Sequence, residues 1–95
     1  MRIIGRIPHP LMQITVFAND GRFPVQFELD GRSQIYRFRQ QETLAGLNDV
    51  QRIVDATFQS AVLEQFASMR AIQEGVMERH FALPDADASD LPEII

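Results

Sequence analysis

The chain is 95 residues long, 45% hydrophobic and 23% charged, with a formal net charge of −4 and no cysteine. That is the size and composition of one globular domain, and the missing cysteines exclude a disulfide framework, a thiol nucleophile and every cysteine-ligated zinc site. All nine basic residues are arginine, which removes Schiff-base chemistry and the phosphate-gripping lysine of a P-loop.

In chain order, Ile3, Ile4 and Ile7 leave room for a short extra strand, which Pro8 and Pro10 would end. Leu11 to Ala18 alternates, with Met12, Ile14, Val16 and Ala18 on one face and Leu11, Gln13, Thr15 and Phe17 on the other. Asn19-Asp20-Gly21-Arg22 supplies residues that tolerate positive φ in a reversing turn. Phe23 to Asp30 alternates more cleanly, setting Phe23, Val25, Phe27 and Leu29 against Pro24, Gln26, Glu28 and Asp30. Asp30-Gly31 marks a second tight turn. Ser33 to Arg39 then puts Tyr36 and Phe38 opposite Ile35, Arg37 and Arg39. Tight turns leave no length for a parallel crossover, so these strands form an antiparallel meander. Pro24 has no amide hydrogen and belongs at the strand's start, beyond full pairing, or beside a bulge.

After a polar connector the period becomes helical. Asn48 and Gln51 have capping-box spacing, and Asp49 suits the positive end of a helix dipole. Val50, Val54, Phe58, Ala61, Val62, Phe66, Met69 and Ile72 gather into one stripe at 100° per residue, predicting a single long helix from Asp49 to about Glu74. Gly75 either ends that helix or lies inside one running on to Phe81. The predicted fold is α+β: a three-stranded antiparallel meander, with the N-terminal fourth strand left open, packed on one long amphipathic helix. The domain spans 1–82, and 83–95, with Asp85, Asp87, Asp90 and Glu93, reads as a flexible acidic tail.

The charges divide unevenly. Residues 1–40 hold six arginines against three acids, and residues 41–82 hold three against six. The body is therefore neutral, and the net charge resides in the tail, a poor basis for general nucleic-acid affinity. No apolar run approaches the roughly 20 residues of a membrane helix, and the opening stretch is too broken for a signal peptide. A soluble, cytoplasmic protein with no membrane contact is expected.

Chemistry is sparse. The two histidines, His9 between prolines and His80 near the helix end, have no recognisable partner, and no metal-ligand spacing occurs. No nucleophile elbow and no glycine-rich phosphate loop is present. No catalytic residue, cofactor, metal or small-molecule ligand is predicted.

A mismatch of lengths is more informative. Strands of eight residues extend about 26 Å, whereas the predicted helix extends about 39 Å and overshoots the sheet by about two turns. Met69, Ile72, Val76, Met77 and Phe81 fall in or beyond that overshoot, and soluble monomers seldom leave such a patch uncovered. Either the helix breaks at Gly75 and folds back, or these residues meet a second copy or another protein, by a two-fold helix contact or by strand addition. The leading expectation is a non-catalytic interaction module, a homodimer or accessory subunit. One alternative is a small dimeric nucleic-acid-binding regulator using Arg22, Arg32, Arg37 and Arg39. Another is an enzyme whose site forms between subunits around His9 or His80.

Overall fold

The computed structural model describes residues 1–81, so the tail predicted for 83–95 lies outside the described residues. Four strands, β1 (Arg2–Ile7), β2 (Gln13–Ala18), β3 (Arg22–Leu29) and β4 (Arg32–Arg39), precede two helices, α1 (Leu47–Ile53) and α2 (Ala56–Phe81). The sheet is antiparallel, with spatial order β1-β2-β3-β4. The architecture is the expected α+β meander, with β1 present as a full edge strand.

Both hairpins turn on Asp-Gly. Asp20 and Gly21 have φ of 56° and 78°, and Asp30 and Gly31 have 52° and 78°. Two consecutive positive φ values make the turn whose twist matches that of the flanking strands. Asn19 and Arg22 close the first turn by exchanging backbone hydrogen bonds of 2.9 and 3.1 Å. Pro24 follows the expectation from its missing donor. The registered β2–β3 pairs stop at Val16↔Val25, so Pro24 lies just past them, while β4 pairs with it through Arg37.

β1 carries an irregularity between Ile3 and Gly5, where the partner residues step from Phe17 directly to Val16. This bulge leaves Ile4 without an opposite number. It also turns Gly5 towards α1, where a Cβ would stand 2.5 Å from the Leu47 Cδ2. The helix packs this closely because residue 5 has no side chain.

One face of the sheet is the core face. Met12, Ile14, Val16, Phe23, Val25 and Phe27 are buried there against Leu44, Val50, Val54, Val62 and Phe66. The Phe58 ring meets Phe27, Tyr36 and Phe38 edge to face at 5.3, 5.1 and 6.1 Å, a geometry that suits the ring quadrupoles.

The helical region departs from the single helix expected. Gly46 stands at the N-terminal end of α1 without a side-chain cap, and the chain leaves the helix at Val54. The Asn48–Gln51 capping box does not form, because the helix already begins at Leu47. The Asp49 carboxylate turns back to the Ala45 amide and to Arg52, at 2.9 Å each. A new helix starts at once: the Phe58 amide donates to Asp55 Oδ1, and Gln59 Nε2 donates to the Val54 carbonyl, both at 2.9 Å. Asp55 is thus the N-cap of α2. The break has a packing reason, since Val50 and Val54 on one side of it and Val62 and Phe66 on the other are all buried. With the break, both pairs belong to one core.

Two polar links hold α2 to β4. Gln34, on the core face, donates from Nε2 to the Val62 carbonyl at 3.0 Å and accepts the Tyr36 hydroxyl. Arg32 Nη2 donates to Gln73 Oε1 at 2.9 Å. Since Phe58 lies by Phe38, Val62 by Gln34 and Gln73 by Arg32, α2 runs opposite to β4, towards the β3–β4 hairpin.

Candidate protein-binding surface

Gln73 is the last α2 residue with a hydrogen bond to the sheet, yet the helix continues through Gly75 to Phe81. The continuation rises about 12 Å, or roughly two turns, past Gln73. Glycine is tolerated here because backbone hydrogen bonds run on past it and a Cβ would meet only Arg79 Nη1, at 3.4 Å. Of the two courses expected at Gly75, the chain takes the continuous one.

Among the described residues, the apolar side chains at this end of the helix are exposed. Ile72 is 67% exposed, Met77 48%, Phe81 44% and Val76 38%. Met69, one turn earlier, packs against the core and is half-buried. Four of the five residues picked out in the sequence therefore stand in solvent, and the fifth marks where the covered stripe ends. Among the described residues these four apolar side chains are left exposed at one end of the helix, which is uncommon on the surface of a soluble monomer.

Beside this stretch, α2 and the hairpin end of the sheet enclose a cleft of about 220 Å³, with Leu11 and Leu29 on one wall and Leu63, Phe66 and Arg70 on the other. Leu11 is 64% exposed at its mouth. Leu63 falls outside the core stripe of the helix, and Leu11 lies on the solvent-facing side of the β2 alternation. Only the closeness of helix and hairpin gives them a common role.

The arginines do not form one surface. Arg22, Arg37 and Arg39 share the sheet face away from the helices with Arg6, because Arg22 pairs with Arg39, Pro24 with Arg37, and Arg6 with Thr15. Arg32 belongs to the opposite, helix-bearing face, where Gln73 holds it and its Nε is buried without a partner. Strand alternation makes this division unavoidable, since residue 32 differs in parity from 37 and 39.

Each histidine makes its own local contacts. His9 Nδ1 accepts from the Leu11 and Met12 amides at 3.0 and 3.2 Å, closing the β1–β2 connection. His80 stands exposed near the end of α2, its ring 6.5 Å from that of Phe81. Among the described residues, no group of three or more metal-ligating side chains converges, and no helix is long and apolar enough to cross a membrane.

Comparison with protein-family models, curated proteins and solved structures finds no match.

Asp49 has a perturbed acidity. Its carboxyl is held below the ordinary value, first by the Ala45 amide and then by Arg52. It sits at the start of α1, away from the α2 projection, and its part is to hold the connector in place.

Proposed function

We propose that this protein is a non-catalytic interaction module that self-associates through the projecting part of α2, and by the same surface can serve as a subunit of a larger assembly. The observation that carries the reading is the exposure of Ile72, Val76, Met77 and Phe81 within ten residues of one unbroken helix. Burying such side chains is worth about 1.5–3 kcal/mol for each one fully covered. Partial burial of several such side chains from each copy would oppose the entropic cost of association.

The test is the mass in solution across a concentration series. The wild-type chain is expected to shift from one copy to two with rising concentration, and Met77→Asp to stay at one copy with its helix content unchanged. A wild-type chain that stays single at several hundred micromolar removes the self-association form of the proposal.

A second reading keeps one specific observation. Arg6, Arg22, Arg37 and Arg39 share the outer sheet face, and none has an ion-pair partner among the described residues. A regulator that met phosphates through this face would show affinity falling steeply with salt. A gel shift at low salt that vanishes at high salt supports it, and no shift at low salt dismisses it.

A further inference from the structure

α2 carries a second pattern, distinct from the stripe that faces the core. Leu63, Ala67, Arg70, Glu74, Met77 and Phe81 recur at alternating intervals of four and three residues, the spacing of a helix–helix seam. All six lie within the single helix. Leu63 is half-buried and the other five are exposed.

The seam is self-complementary when reversed. Reading it backwards exchanges Leu63 with Phe81, Ala67 with Met77, and Arg70 with Glu74. An antiparallel copy would therefore set a large side chain against a small one at Ala67 and opposite charges against each other at Arg70. A two-fold contact requires each of these pairings to occur twice, and they do. A parallel copy in the same register would set Arg70 against Arg70 and Glu74 against Glu74, which like-charge repulsion disfavours. Within one copy, Arg70 and Glu74 form no ion pair. With arginine preceding glutamate, the pair also has the weaker orientation for a contact inside one helix.

The cleft agrees with the seam. Leu63, Ala67 and Arg70 line it together with Leu11 and Leu29, so a reversed helix would bring the second copy's Met77 and Phe81 to its mouth. Its volume of about 220 Å³ exceeds that of a cavity known to accept a benzene ring, about 150 Å³.

We infer that the partner of the α2 projection is a second copy of this chain, bound antiparallel along the Leu63–Phe81 seam, with Arg70 of each copy against Glu74 of the other. This rests on the self-association proposed above and adds its geometry. Ile72 lies on the opposite side of α2 and takes no part.

The absence of native cysteine permits a clean test by cross-linking. An equal mixture of Ala67→Cys and Met77→Cys chains, mildly oxidised, is expected to give a disulfide-linked pair. Neither variant alone should do so, because like positions would stand about 15 Å apart at 1.5 Å per residue, far beyond disulfide reach. By sedimentation, Arg70→Glu should raise the dimer dissociation constant about tenfold or more. Adding Glu74→Arg to it should recover most of the loss, and Ile72→Asp should leave the constant nearly unchanged. A dimer that gives no mixed cross-link, or that Ala67→Cys links by itself, overturns the antiparallel seam and leaves self-association standing. A wild-type chain that is single at all concentrations overturns both.

Discussion

His9 shows how a residue suited to catalysis is used as a brace. Its Nδ1 accepts two successive backbone amides, as an Asn or Asp side chain does in an Asx turn. His9→Ala should leave both amides unpaired and cost about 1 kcal/mol, a fall of about 5 °C in the melting temperature of a domain this size. His9→Asn places an acceptor near the same point and should keep most of that stability. Equal losses in both variants would show that the ring's packing matters and its nitrogen does not. Asp49 makes a prediction in pH. Its acidity is strengthened in the fold, chiefly by the Ala45 amide and next by Arg52. Its contribution is therefore present above the ordinary carboxylate value, near 3.9, and is lost as pH falls through the lowered one. Thermal melts from pH 7 down into the acid range should show wild type losing more stability than Asp49→Asn once the pH falls below the ordinary carboxylate value.

The strands follow their sequence closely, because period-two alternation and Asp-Gly turns are local signals that the fold does not have to override. The helices do not, since one stripe at 100° per residue is compatible with a rod or with two pieces, and the choice depends on the sheet beneath. Asp55 was the available sign of a break. It precedes Phe58 at capping distance and lies inside an apparently continuous stripe. Gly75 gave no decisive sign, being equally at home at a helix end and in a helix interior next to helix-favouring neighbours. Since the helix does run through it and a Cβ has room there, Gly75→Ala should stabilise the chain by about 0.5–1 kcal/mol. Chemical denaturation would detect this. A loss of stability would mean that the helix bends or ends at this point in solution.

Across the whole of the described residues, the centre is well filled and the far end of α2 is exposed. The sheet is backed by two helices over its core face, while α2 carries its apolar stretch past the hairpin that would have to cover it. If that end is closed by a second copy, folding and association are linked, and the midpoint of unfolding should rise with protein concentration. Melts at 5 and at 500 micromolar would show this, and the dependence should vanish in Met77→Asp. A midpoint independent of concentration in the wild type would argue that the projection contributes nothing to the stability of an assembly.

The sequence by itself determined the three strands of the meander, their turns, the core face of each of those strands, and the surplus of helix length over strand length, while β1 stayed open. Each of these follows from local periodicity or from residue geometry, which hold in any surroundings. Tertiary structure decided that the helical region divides at Val54, that Gln73 holds Arg32, and that Leu11 and Leu63 line one cleft. Those features depend on which elements come near each other, and that is set by the twist of the sheet and the direction in which α2 crosses it.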